Sequence, residues 1–415
     1  VPAIRPFAAV RYAVPDGELG RVLAPPYDVI PPAYQRELYA RDPRNVVRLV
    51  LNDKAGEAGY REVAETYARW RAEGLLASDP EPALYLLEQE FALAGERRRR
   101  RGLLARFRAE DPATRAVLPH EHTRPGPRED RYRVLLATRA NFSPIFLMFP
   151  DAGRRFQALA GPAAAGPPLA TYTDDAGVAH RLWRLADSGT VAGAAELLGG
   201  VTAYIADGHH RYACALRYRE EFGPEGAWTL GYFTPLEDGG LCVLPYHRLL
   251  AAGPSLPAAR GALVAKGFRV AEVEDAKAAA ARVARSSAAY AFGLAAPQGG
   301  ALVAEAGAEQ SRGLAGADSL RALDTFFFHE AVLGPLLGVA AEAVRYVHSF
   351  EEAEKDLAAG ACRLAVLMRG TPLAQIVAVA EAGESMPAKS TFFHPKLPSG
   401  LLIHELPPGR RAARA

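Results

Sequence analysis

Three cysteines in 415 residues, Cys214, Cys242 and Cys362, are too few and too scattered for a disulfide framework or a zinc knuckle. A span fit to cross a bilayer is missing as well. The best uncharged stretch, Ser286 to Ala304, is broken by Pro297, Gln298 and two consecutive glycines. The opening "VPAIRPFAAVRY" has neither the apolar core nor the small-residue cleavage site of a signal peptide, so a cytoplasmic protein with no membrane partner is expected. Charge of one sign is not in excess. The formal net charge of +2 gives no global reason for nucleic acid to bind, and none is expected.

Lysine and asparagine are the remaining scarcities. Of 49 basic residues only Lys54, Lys266, Lys277, Lys355, Lys389 and Lys396 are lysine, and the asparagines are Asn45, Asn52 and Asn141. A lysine retained in so arginine-rich a chain marks places where a compact ammonium serves and a planar guanidinium does not fit. Two of the six fall in one segment, "MPAKSTFFHPKLPSG".

What is present is ordinary for a globular protein of two or three domain-sized units: 49% hydrophobic and 23% charged residues. Strand-like runs ("IRPFAAVRY", "NVVRLVL") flank the Pro-rich "LAPPYDVIPP", and Tyr60, Val63, Ala64, Tyr67 and Trp70 recur at helical spacing. "ALYLLEQEFALAGERRRRRGLLARFRAE" reads as a hairpin turning at Ala94-Gly95-Glu96. Its five arginines alternate between faces, as a solvated strand or an anion-binding edge. A helix is expected from about Glu129 and a buried strand after Ser143-Pro144. "FQALAGPAAAGPPLATY" reads as a surface connection, "LCVLPYHRLL" as a strand leading into a turn, and "LAQIVAVAEA" as a buried strand. Strands interleaved with helices argue a mixed α/β architecture. It divides into an N-terminal region, 1–252, and a C-terminal α/β region, 253–415, whose tail is a candidate to return to the site.

The chemistry concentrates in "IADGHHRYACAL". Val201 to Ala206 reads as a strand, and Tyr212, Ala215, Leu216 and Phe222 recur at helical spacing behind it. Asp207-Gly208 is then a tight strand-to-helix turn, with His209, His210 and Arg211 in the first helical turn. Free N–H groups and the helix dipole make such a turn an anion site, with phosphate the natural guest. Asp207 repels a bare phosphate; it fits if the phosphate carries Mg²⁺, if it binds an acceptor's ammonium or hydroxyl, or if it only caps the helix.

Three weaker constellations accompany the turn. In "PHEHT", Glu121 is a candidate general base, while His120 and His122 are candidate metal ligands; a solvated loop is the plain alternative. In the tail, Lys389, Ser390, Thr391 and Lys396 are candidates for phosphate, without the glycine pattern of a P-loop. His247 and Arg248 of "PYHR" are secondary candidates, and Asp28 of "PPYDVI" is the reserve base.

In this order "APPYDVI", "PHEHT", "NFSPIF", "IADGHHRYACAL" and "MPAKSTFFHPKLPSGL" resemble the family known as domain of unknown function 1015. The D-G-H-H-R turn is also similar to that of the ParB and sulfiredoxin superfamily, and within it the free serine kinases. The resemblance implies a ParB/sulfiredoxin-like core in the first region. It implies phosphoryl transfer from ATP or ADP, with Mg²⁺, to the hydroxyl of a small metabolite, foremost free L-serine. Asp207, Gly208, His209, His210 and Arg211 would hold phosphate and substrate, and Glu121 would act as base. Sulfiredoxins need a Cys within the turn, and here Cys214 lies on the helix beyond it. A metal-dependent hydrolase built on the histidine clusters and a non-enzymatic nucleotide-responsive binding protein are the alternatives.

Overall fold

Strand alternation and helix-period burial build two units in the computed structural model, which describes residues 1–297 and 299–407. The first unit comprises Val1–Pro119, Thr123–Cys242 and Pro395–Pro407; the second comprises His120–His122 and Val243–His394. The protein is mixed α/β, as its interleaved patterns require.

In the first unit a nine-stranded sheet runs in the order Val117–Leu118, Ala203–Asp207, Ile145–Phe149, Trp228–Pro235, Glu96–Arg108, Leu84–Leu93, Ala179–Leu185, Ala170–Thr173, with Ile4–Arg5 pairing Glu96–Arg108. Ile145–Phe149 runs parallel to Trp228–Pro235 and antiparallel to Ala203–Asp207, where the ladder shifts register between Ile205 and Asp207. Leu84, Leu86, Leu103, Ala105, Phe107, Leu147 and Ile205 fill one face of the sheet with Tyr212 and Ala215 of the helix His209–Phe222. The hairpin turns where expected. Ala94 and Gly95 both take positive φ (52° and 81°), the geometry that matches strand twist in a two-residue turn.

The five arginines are neither an exposed edge nor a uniformly solvated strand. Their strand lies inside the sheet, between Trp228–Pro235 and Leu84–Leu93. Arg97, Arg99 and Arg101 pair with Glu90 and Glu88 of the neighbouring strand, whereas Arg100 on the opposite face is fully buried.

The second unit is built on a wholly antiparallel six-stranded sheet in the order Arg269–Val273, Ala301–Ala306, Tyr290–Ala295, Leu364–Leu367, His247–Leu250, Val344–Val347. Period-two alternation sends Leu250, Phe292, Leu302 and Val366 to one core, with Phe327 and Leu263, and Leu249, Ala291, Val303 and Ala365 to the other, with Val283 and Leu357. Both faces are buried.

Five local readings are corrected. "LAQIVAVAEA" is a helix, Leu373–Glu381, not a strand: Ile376, Val379 and Ala380 bury at three- and four-residue spacing, a period that a short apolar run disguises. "NVVRLVL" forms a short helix, Val47–Val50, because buried Asn45 accepts from the Val47 amide and donates to the Arg21 and Leu23 carbonyls. "FQALAGPAAAGPPLATY" is no surface connection. It contributes to the helix Arg155–Ala164, started by Asp151 accepting from the Arg155 and Phe156 amides, and then to the strand Ala170–Thr173. The helix expected from Glu129 starts at Pro125, since proline fits the first helical position. "LCVLPYHRLL" supplies two strands, Cys242–Leu244 and His247–Leu250. Among the described residues no helix is long and apolar enough to cross a membrane.

Burial, reinforced by Arg248, lowers the imidazoles of His247 and His329 in the second unit to about 4 each. In the unfolded chain they titrate near 6.5, so between these values the unfolded state binds more protons and stability falls with acid. Denaturant unfolding of the second unit should weaken from pH 6.5 towards pH 4, with a slope of up to about 2.7 kcal/mol per pH unit for two protons. Replacing His329 by Gln should remove about half of that slope; an unchanged slope would refute the assignment.

Candidate active site at the Asp207 turn

The strand Ala203–Asp207 ends inside the sheet, and its next residue, Gly208, turns the chain at φ +98° into the helix His209–Phe222. The left-handed conformation requires glycine there. A Cβ at Gly208 would also meet the Arg211 guanidinium at 3.1 Å. The Gly208 carbonyl accepts from the Tyr212 amide at 2.9 Å, and among the described residues no side chain caps the helix. Gly208, not Asp207, therefore holds the N-cap position, and a helix N-terminus of this kind favours an anion through its dipole.

Asp207 faces two cations instead. The Lys396 ammonium donates to its Oδ2 at 3.0 Å, and an Arg211 Nη lies 3.8 Å from Oδ1; all three side chains are 16% exposed or less. Burial pushes the Asp207 carboxyl up. Lys396, then Arg211 and His209, outweigh this and hold it well below the usual carboxylate range. Asp207 is an anion at every physiological pH.

Other motifs converge on the same turn. Arg211 donates to the Pro144 carbonyl of "NFSPIF". Ser143 and Ser399 share a hydroxyl bond of 2.6 Å, the Ser399 amide donates to Ala24 of "APPYDVI", and the Gly400 amide donates to Phe142. Asp28 and Asp207 act electrostatically on His210, whose pKa is nonetheless lowered, first by burial. His210 accepts the Arg124 amide at Nε2 (2.9 Å), so it is neutral and its remaining donor is Nδ1–H. His209 is buried at the head of the helix.

Tyr27, Arg131, Ser143, Arg211 and Cys214 line a cavity of about 60 Å³ beside the turn. It has room for roughly four waters, or a metabolite of a few heavy atoms. The Arg131 guanidinium lies 4.2 Å from the Tyr27 ring centroid. Burial pushes the Cys214 thiol up to about 12, leaving it without thiolate reactivity. Tyr27, Arg131 and Ser143 escaped the sequence reading as individuals. Only the motif fragments "PPYDVI" and "NFSPIF" pointed towards two of them.

The remaining candidates lie in the second unit. His120 is buried, with Nε2 3.3 Å from the Thr391 hydroxyl, and its carbonyl accepts the Met386 amide at 2.8 Å. Glu121 bridges to Met386 as an isolated parallel pair, and His122 follows it in the same segment. Lys389 sits at φ 62° with its ammonium 4.9 Å from the Tyr246 ring centroid and 3.3 Å from that hydroxyl. Ser390 is buried, donating to Pro387 and meeting Thr325. His247 accepts the Met368 amide at Nδ1, and buried Arg248, lowered to about 10 by burial, donates to Tyr246. Both are tied into packing. Among the described residues no three His, Cys, Asp or Glu side chains come together in a way that could hold a metal ion.

The family described as "Protein of unknown function (DUF1015)" matches residues 4–326. The chain belongs to that family. No curated protein matches the chain. Among solved structures, a mutant free serine kinase in complex with AMP is similar at TM-score 0.35 and 13% identity, over 70% of this chain and 87% of that one. A conserved hypothetical protein from Pyrococcus furiosus gives 0.35 and 14%, over 72% and 93%. SbnI with a C-terminal truncation, from Staphylococcus aureus, gives 0.36 and 9%, over 71% and 84%. Likeness at this level carries no activity across, and membership of DUF1015 assigns no chemistry, so the site must be read from its own geometry.

Gly208→Ala tests that geometry. The forced positive φ and the contact with Arg211 should cost about 1–3 kcal/mol, read as a lower denaturation midpoint of the first unit. An unshifted midpoint would show that the turn adopts another backbone conformation.

Proposed function

We propose that the protein moves a phosphoryl group from ATP or ADP to the hydroxyl of a small metabolite, with free L-serine the acceptor that the motif resemblance favours. The observation carrying this reading is Asp207, held ionised between Lys396 and Arg211 at the N-terminus of the helix His209–Phe222. One carboxylate against two cations leaves a positive surplus, so the approaching phosphate meets a cationic turn despite Asp207. Phosphoryl transfer asks little covalent chemistry of a protein; it asks for alignment and neutralisation of charge on the transferred oxygens. First-turn amides and Arg211 orient the phosphate, and Lys396 neutralises it. The small cavity beside Arg211 suits an acceptor of a few heavy atoms better than a nucleobase.

Mg²⁺ fits the donors present. Asp207 and Asp28 are hard carboxylate oxygens, and without a protein cage the ion would be held chiefly by nucleotide phosphates, supplying Lewis-acid neutralisation. For the proton of the attacking hydroxyl, the resemblance nominates Glu121. Asp28, which acts electrostatically on His210 in the first unit, is the reserve.

The deciding experiment incubates the protein with ATP or ADP, Mg²⁺ and serine, and follows the phosphate ester by ³¹P NMR. Nucleotide binding without ester formation would leave a nucleotide-responsive binding protein. By calorimetry, Arg211→Ala should weaken nucleotide binding by about 1.5–3 kcal/mol, the scale of a charged hydrogen bond; unchanged affinity would remove the turn from the site.

Glu121→Gln should cut turnover by about 10²–10⁴ with nucleotide affinity little changed, the usual reach of general-base catalysis. If Asp28→Asn produces that loss and Glu121→Gln does not, Asp28 is the base.

A further inference from the structure

Arg100, on the face of its strand opposite Arg97, Arg99 and Arg101, is fully buried. Its guanidinium lies 4.5 Å from the ring centroid of Phe146 and donates to Gln89 Oε1 and, at 2.6 Å, to the Pro395 carbonyl. Gln89 is the cross-strand partner of Arg100 and is equally buried. A guanidinium only donates, so it fixes the Gln89 oxygen towards itself and turns the amide nitrogen outward. That nitrogen donates to the Lys396 carbonyl at 3.0 Å. Two consecutive carbonyls, Pro395 and Lys396, are thus gripped by one buried cross-strand pair, and the next group along the chain's path is the Lys396 ammonium on Asp207.

Packing alone does not account for arginine at this position. A buried cation costs desolvation that an apolar residue of similar volume would avoid, so its retention calls for a specific partner. We propose that Arg100 and Gln89 are positioning residues for Lys396: they fix the backbone at 395–396 so that its ammonium stays on Asp207. The inference rests on the Asp207 turn being the functional site, but its test requires no turnover.

The six lysines make that test selective. Trace acetylation with acetic anhydride, read by mass spectrometry after digestion, yields a rate for each lysine in the folded chain. In Arg100→Met and in Gln89→Leu, Lys396 should react about tenfold faster, the factor carried by loss of one charge-assisted hydrogen bond. Lys54, Lys266, Lys277 and Lys355 should keep their wild-type rates. Asp207→Asn should release Lys396 to a similar extent, and Arg100→Lys should fall between wild type and Arg100→Met. A Lys396 rate at the wild-type level in either folded variant overturns the proposal, as does an increase shared by all lysines. If Arg100→Met does not fold, Gln89→Leu, which leaves the Arg100 guanidinium and its bond to the Pro395 carbonyl in place, decides alone. Wild-type phosphoryl transfer in Lys396→Met would sink the functional reading while leaving the labelling result intact, so the two can fail separately.

Discussion

The contact between Lys396 and Asp207 joins residues 189 positions apart, and the charge balance of the Asp207 turn hangs on it. A carboxylate at the head of a helix repels an anionic guest unless a cation accompanies it. Arginine alone would not do: Arg211 stands 3.8 Å away and is committed to the Pro144 carbonyl. The compact ammonium approaches closely, from a segment of chain that has no other regular structure between Phe392–His394 and His404–Glu405. The local sequence supplies an acid and an arginine; tertiary structure supplies the counter-ion that makes them compatible with an anionic guest.

How much of this was legible in the sequence differs element by element. The strand into Asp207, the following helix and the Ala94-Gly95 hairpin were readable because turn chemistry and period agreed locally. Val47–Val50 was not, since a β-branched run was overridden by the buried side chain of Asn45. Leu373–Glu381 was not, since nine mostly apolar residues fit either period. Within the candidate site, the D-G-H-H-R turn could be singled out from spacing alone. The grouping of Tyr27, Arg131 and Ser143 around it could not, because each comes from a distant segment. Arg100 was the least legible. Nothing in five identical residues tells which is buried; only the position of the strand inside the sheet does.

The retained lysines carried more information than their number implied. Lys396 occupies a place where a compact point charge donates to one carboxylate oxygen, which a planar fork would approach less closely. Lys389 lies instead over an aromatic ring in the second unit. Two lysines seven residues apart thus have different surroundings, and proximity along the chain was a poor guide to shared purpose. The histidines teach the same lesson: His210 uses its Nε2 to accept a backbone amide, so part of the turn's imidazole content secures a loop.

The chain leaves the first unit near Cys242 and returns to it at Pro395. During synthesis, a nascent polypeptide that has emerged as far as His394 contains every strand of the nine-stranded sheet but not the ammonium that neutralises Asp207. The sheet can begin to fold as it leaves the ribosome, yet the Asp207 turn stays electrostatically unfinished until Lys396 has been made. A polypeptide released early would keep most of its apolar core and lack its counter-ion, so premature termination would yield a nearly folded protein with an unbalanced acid at its centre.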